Sequence, residues 1–238
     1  MNADAKSWLD RVRAAWNERA AQWDEMSEAN ARAPDRPADL ERTVAALQLQ
    51  PGSRLLDAGC GTGQFAIAFA ERGCRVTGVD LAPAMIERAW QHGEERGVTV
   101  EWRVGEISRL ADPEAAYDAI HARVVLQFVP NVVETLREFR RVLAPGGRLL
   151  ASVPGALSPI YRSSWRRFLA PDNFTMNLLM PWELEALLEE LGWRVVDGWG
   201  EFGESLSGET NPLRAEEISR LDRRLQQAAA TTWTVIAE

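Results

Sequence analysis

Asp57, Gly59, Gly61 and Gly63 form D-x-G-x-G-x-G at the carboxyl end of an apolar run, within LLDAGCGTGQFAIAFA (residues 55–70). Glycines at that spacing suit a tight strand-to-helix turn with φ > 0 and a ligand lying against bare backbone, with Cys60 inside the turn. The helix that follows directs its free N–H groups at whatever sits on the turn. The dinucleotide fingerprint G-x-G-x-x-G does not fit well. Read from Gly59 its third glycine falls on Gln64, and read from Gly61 on Ala66, which only the relaxed pattern admits. Asp57 stands where a carboxylate can orient the loop or meet an ammonium group. That favours an amino-acid-bearing ligand over a pyrophosphate.

Asp80 ends the next strand, CRVTGVD, about 20 positions beyond the glycine turn, the distance at which a carboxylate in such folds meets ribose hydroxyls. Two hydroxyl donors on one carboxylate make charge-assisted hydrogen bonds. The alternative is a turn acid, because Ala82-Pro83 begins a helix. Gly105-Glu106-Ile107 closes the third strand, YDAIHARVVLQFV forms the fourth, and LAPGG (residues 143–147) precedes the fifth.

Together these stretches resemble the class I S-adenosylmethionine (SAM)-dependent methyltransferases, in the small-molecule type 11 branch. The likeness runs over roughly residues 40–200. It implies SAM as cofactor and methyl transfer to an O, N or C atom of a small molecule by in-line displacement. By the resemblance Asp57, Gly59, Cys60, Gly61 and Gly63 form the cofactor turn. Asp80 holds the ribose, and Leu81 and Met85 pack the adenosine. Glu106 and Ile107 lie near the adenine, Glu106 replacing the usual Asp. The carbonyl of Ala122 meets the SAM ammonium, and Trp23 is the aromatic that approaches the methionine moiety. Arg123 stands where the family more often has a small residue; it faces the acceptor or pairs with an acid. Gln127 takes a position often held by His, and an amide cannot act as a general base. His121 and Tyr161 are weak base candidates, with His121 read first as a satisfied core histidine, so no catalytic residue is assigned. A SAM- or S-adenosylhomocysteine-binding protein without turnover is the competing reading, and a nicotinamide-dependent reductase a more distant one.

Composition narrows the field. The formal net charge of −8 disfavours sequence-independent binding to nucleic acid or to an anionic membrane. Lys6 is the only lysine, which argues against a P-loop and a pyridoxal Schiff base. Two histidines, His92 and His121, cannot build a multi-histidine metal site. Cys60 and Cys74 have neither metal nor redox spacing and read as buried thiols in a reducing cytoplasm. No apolar run reaches the roughly 20 residues of a membrane span, and MNADAKSWLDRVRAAW lacks a signal-peptide core. The expected setting is therefore the cytoplasm, with a small-molecule methyl acceptor, no nucleic acid or membrane partner, and a monomer or homodimer.

The elements that must position these residues alternate strand and helix. That pattern predicts a Rossmann-like α/β fold: a seven-stranded, mostly parallel sheet with helices on both faces and the last strand antiparallel. Strands are expected at 53–58, 74–79, 98–104, 117–122 and 147–153, a sixth at 193–199, and the last in TTWTVIAE. Helices are expected at 63–72, 83–97, 131–143 and 182–191, with 106–115 a loop. Before them, residues 5–24 show a helical stripe of Leu9, Val12, Trp16, Ala20 and Trp23. This helix is either docked by its tryptophans or a lid over the cofactor. Residues 28–37 read as a linker and 39–49 as a second helix, so that 1–50 form an N-terminal helical cap on a domain of 51–238. Two additions break the alternation. A segment at 154–180 carries Tyr161, Trp165, Phe168 and Phe174 among Arg162, Arg166 and Arg167, read as acceptor cover or as a solvated helix. An extra helix is expected at 213–228 with Leu213, Ile218, Leu221 and Leu225 inward.

Overall fold

Leu55, Leu56 and Ala58 are fully buried, as strands covered on both faces require. In the computed structural model, which describes residues 3–31, 36–161, 164–169, 175–202, 218 and 220–238, they lie at the centre of one sheet. The strands are β1 (Arg54–Ala58), β2 (Arg75–Asp80), β3 (Glu101–Val104), β4 (Tyr117–Arg123), β5 (Leu143–Pro154), β6 (Val195–Glu201) and β7 (Thr232–Ala237). Their order is β3-β2-β1-β4-β5-β7-β6. The first five pair in parallel, and β7 runs antiparallel to both β5 and β6. This is the expected sheet, and the reversal at β1/β4 places the switch point where β1 ends.

The described helices are α1 (Ala3–Ala31), α2 (Arg36–Ala46), α3 (Gln64–Ala70), α4 (Pro83–Arg96), α5 (Val132–Val142), α6 (Pro181–Glu190) and α7 (Arg223–Ala229). Two apolar layers sandwich the sheet. One joins Leu56, Ala58, Ile120 and Ala122 to Leu136 and Phe139 of α5 and Leu184 and Leu188 of α6. The other joins Leu55 and Ala119 to Leu40 of α2 and Ala66 and Phe69 of α3.

Several boundaries differ from expectation. The first helix continues to Ala31, through part of the polar stretch read as a linker. Ser, Glu and Ala at 27–31 are compatible with helix, and polarity alone does not end one. The third strand starts only at Glu101, and as an edge strand it leaves Val104 about half exposed. The fifth strand begins at Leu143, because Leu143 already pairs with Tyr117 before the register shifts towards Ala119. Of the expected helix at 213–228, residues 213–217 and 219, Leu213 among them, lie outside the described residues. Ile218 is buried, and α7 starts at Arg223. Asp222 caps it by accepting from the Leu225 amide, which turns Gln227 and Ala229 inward and leaves Leu221 and Leu225 exposed. Among the described residues of 154–180 are two short 3-10 turns, Pro159–Tyr161 and Ser164–Phe168, while Arg162 and Phe174 lie outside the described residues.

Candidate functional site

The turn after β1 takes left-handed backbone at Gly59, Gly61 and Gly63, with φ of +75°, +55° and +85°. Gly63 is sterically obligatory as well: a Cβ there would lie 2.7 Å from the Trp102 ring and 3.0 Å from Ala89 Cβ. The turn is fastened to β2. The amides of Gly59 and Cys60 both donate to the carbonyl of Val79, at 2.8 and 3.1 Å, and Gly63 donates to Cys60. The Gly61 amide donates to Asp80 Oδ2 at 3.0 Å and the Ala82 amide to Asp80 Oδ1 at 2.9 Å. These main-chain donors are therefore engaged within the protein. Left-handed glycines keep the turn open to close approach, and the Asp80 carboxylate is the charged group beside it. Burial pushes the Asp80 carboxyl up to about 6, against the amide hydrogen bonds that pull it down. The Asp80 carboxylate thus acts as the turn acid considered from the sequence, closing the turn before α4, and it stands beside the glycines.

α1 covers this end of the sheet. The Trp23 indole nitrogen lies 3.3 Å from where a Cβ on Gly61 would sit. Ser27 Oγ is 3.0 Å from Thr62 Oγ1, within the turn itself. Buried Asp24 pairs with Arg88 of α4 at 2.8 Å and faces His92 at 3.5 Å, while the other His92 nitrogen meets the Thr62 carbonyl at 3.1 Å. Further along, Arg13 donates to the Leu81 carbonyl and Asn17 accepts from the Ala84 amide. Trp8 donates to the Phe128 carbonyl at 2.8 Å, and Trp16 packs edge-on against Trp23 and Phe128. One helix thus touches the glycine turn, the β2–α4 junction and the turn after β4. The helix is docked by its tryptophans and by these polar contacts.

The other sequence candidates fall around this cover. Met85 is buried with Ala20 and Ala82, flanked by Trp16 and Trp23. Leu81 is partly buried beside the Arg13 contact. Ile107 is buried in the layer that holds Ala58, Val79 and Ala122, whereas Glu106 stays partly exposed. Ala122 is fully buried, and the chain then turns sharply. Val124 adopts φ of 51°, costly for a β-branched residue, held by its amide donating to Ser152 O and Oγ, both at 3.1 Å. That turn lays the Val125 side chain against Gly59.

Two partnerships could not be named beforehand. Asp57 is buried, and its side chain accepts from His121 Nδ1 at 2.8 Å, with Phe65 and Phe69 packed against the imidazole. The sequence held one clue, since parallel pairing sets Asp57 directly opposite His121. Arg123 pairs with an acid, through a two-pronged contact to Glu201 at 2.7 and 2.9 Å with Asp39 of α2 at 3.6 Å. Nothing in the spacing announces a partner 78 residues away. Of the weak base candidates, His121 is sealed and the Tyr161 hydroxyl donates to the Leu179 carbonyl, with burial pushing the phenol well up. A depression lined by Leu47, Ser53, Asp118 and Gly147 lies at the opposite, amino end of the sheet and is unrelated to this site.

Comparison with known proteins points the same way. A family model described as a methyltransferase domain matches residues 56–151. A ubiquinone biosynthesis O-methyltransferase of Xanthomonas axonopodis pv. citri is 32% identical over 169 residues, 68% of this chain and 70% of that protein. A malonyl-[acyl-carrier protein] O-methyltransferase of Serratia marcescens is 40% identical over 116 residues, 49% of this chain and 44% of the relative. The chain spans about half the length of several curated relatives it matches. Among solved structures, the cyclase SpnF superposes with TM-score 0.63 at 23% identity, covering 87% of this chain and 83% of that one. A SAM-dependent methyltransferase from Aquifex aeolicus gives 0.61 at 17% identity, covering 90% and 96%. At these identities the structural likeness speaks to the fold.

Proposed function

The chain belongs to the class I SAM-dependent methyltransferases of the type 11 branch, and from that premise we propose that it binds SAM above the β1 turn and moves the methyl group to a small-molecule acceptor. The observation that carries this reading is the Asp80 carboxylate. It accepts one amide on each oxygen. A carboxylate has about four acceptor positions, so two remain for the two hydroxyls of a ribose. The site fits the nucleoside in other respects: Met85, Ile107 and the indole of Trp23 supply apolar surface, Leu81 lines the same edge, and Glu106 stands at the β3 end for the adenine amine. In this reading residues 1–50 act as a helical cap on the domain formed by 51–238.

SAM supplies a sulfonium methyl that is already activated, so no protein nucleophile or metal is needed. The chain's own task is to bind both reactants, exclude water and align them. Alignment of this kind can supply roughly 7–11 kcal/mol at its upper end. α1 and its tryptophans are suited to keep water out once the cofactor is seated.

The named relatives are O-methyltransferases, so an oxygen acceptor is the first class to try. The proposal carries with it a small-molecule acceptor and a cytoplasmic setting; no described helix is long and apolar enough to cross a membrane. A SAM-binding protein without methyl transfer remains the second reading. It is favoured by the sealed His121 and the hydrogen-bonded Tyr161.

Titration calorimetry with S-adenosylhomocysteine tests the site. Wild-type protein should bind it, and Asp80→Ala should bind at least tenfold more weakly, as expected for lost hydrogen bonds to a charged group. Unchanged binding in the variant would refute the site. A screen of phenolic and carboxylic acceptors, read as S-adenosylhomocysteine formed, separates the two readings: product supports methyl transfer, and binding with no turnover across the screen supports the second.

A further inference from the structure

His121 belongs to none of the cofactor contacts described above, yet it is placed with care. It is 2% exposed and lies on β4 directly opposite Asp57 of β1, on the face covered by α3. Its Nδ1–H donates to Asp57 Oδ1 at 2.8 Å. Phe65 and Phe69 close over the imidazole, with ring centroids 4.6 and 5.3 Å away. Among the described residues the second carboxylate oxygen, Asp57 Oδ2, has no hydrogen-bond partner although it is buried. A buried carboxylate oxygen with no donor is costly to maintain, and a group that supplies a charged donor is its natural complement. The nearby cation does not fill that role. The Arg123 guanidinium lies over Phe65, 5.2 Å from its centroid, and is held by Glu201 and Asp39.

We propose that His121 is a positioning residue that acts through Asp57: by fixing Oδ1 it leaves Oδ2 as the acceptor for the ammonium group of the cofactor's amino-acid portion. The proposal rests on the SAM reading above. Asp57 lies two residues before Gly59, and His121 is followed directly by Ala122, so both strands carry this pair to the edge of the proposed crevice. The aromatic roof lowers the local dielectric and strengthens a charge-assisted contact. It also keeps water from competing for the carboxylate. His121 touches no reacting atom in this scheme. Its effect is confined to the amino-acid end of the ligand and leaves the nucleoside end to Asp80.

That division gives the test. S-adenosylhomocysteine and 5′-methylthioadenosine share the adenosine and the sulfur, and only the first carries the ammonium. Both are titrated by calorimetry into the full chain, wild type and His121→Phe, the phenyl ring filling the space without an N–H. The expected result is a tenfold or greater loss of S-adenosylhomocysteine affinity with methylthioadenosine changed by less than twofold. His121→Asn, which offers an amide donor in place of Nδ1–H, should recover most of the loss. Asp57→Asn should show the same loss of selectivity, and adding His121→Phe to it should change little further. Equal weakening of both ligands, or no weakening of either, overturns the proposal and makes His121 a structural residue. If His121→Phe does not fold, the Asn variants decide between these outcomes. Wild-type protein that binds neither ligand overturns the SAM reading itself, a result distinct from bound ligands with unchanged selectivity.

Discussion

Asp80 has a folded-state pKa of about 6 against an ordinary 3.8, so the folded protein holds a proton there that the unfolded chain has already lost. The sign follows by linkage. Its contribution to stability is greatest below pH of about 4 and is lost as pH rises through about 6. Ligand binding runs the other way, because two hydroxyl donors favour the charged carboxylate. Affinity for S-adenosylhomocysteine should therefore rise with pH through about 6 and level off above, by up to tenfold per unit on the steep part. Calorimetry between pH 5 and 8 reads this directly, and Asp80→Asn should flatten the Asp80-dependent part of the curve. A wild-type profile that the variant reproduces would assign the titration elsewhere. At Gly63 the constraint is steric rather than electrostatic. An alanine there meets both a left-handed φ of +85° and the Trp102 ring. Gly63→Ala should cost about 2 kcal/mol or more in urea unfolding, the sum of strain and overpacking.

At the scale of elements, α1 is where sequence and structure diverge most usefully. Its apolar stripe was legible, because Leu9, Val12 and Ala20 recur at helical spacing and all are buried. Its seat was not. Nothing in the spacing singles out Asp24, and only the fold brings Arg88 and His92 to it. The same holds for Ser27 against Thr62. Periodicity reports which face of an element is apolar; it says nothing of which distant polar group that face will meet. α7 shows the converse: Leu221 and Leu225 looked periodic and inward, but past the cap at Asp222 both stand exposed. The order of strands and helices, by contrast, was readable from their alternation, although the starts of β3 and β5 were not. If α1 is a working cover, Asp24→Ala should loosen it and leave the sheet intact. The loss should be about 1–2 kcal/mol, discounted because Arg88 retains contact with water. Dissociation of S-adenosylhomocysteine, followed by stopped flow, should speed up several-fold while the far-UV spectrum stays unchanged. An unchanged off-rate would make α1 a docked helix only.

For the molecule as a whole, stability depends on how the antiparallel strand joins two halves. β6 reaches the sheet only through β7, which pairs with β5 from Leu149 to Pro154 and with β6 from Val195 to Glu201. Trp233 sits at that seam, 2% exposed, and its indole N–H donates to Glu185 of α6 at 3.1 Å. Arg223 of α7 holds the same Glu185 oxygen at 2.8 Å and lies over the indole, 5.1 Å from the ring centroid. One residue therefore ties β7 to α6 and α7. The seam also bears on the site, because Glu201 at the end of β6 is the partner of Arg123, next to Ala122. Trp233→Ala should cost about 3–5 kcal/mol by removing a fully buried indole. Trp233→Phe keeps most of the packing and forfeits the hydrogen bond, so about 1–2 kcal/mol is expected; Glu185 remains paired with Arg223 and is not left stranded. Both follow from urea midpoints at constant m. If the phenylalanine variant loses as much as the alanine one, the polar tie to α6 outweighs packing at the seam. If m falls for the alanine variant, the two halves of the sheet no longer unfold together.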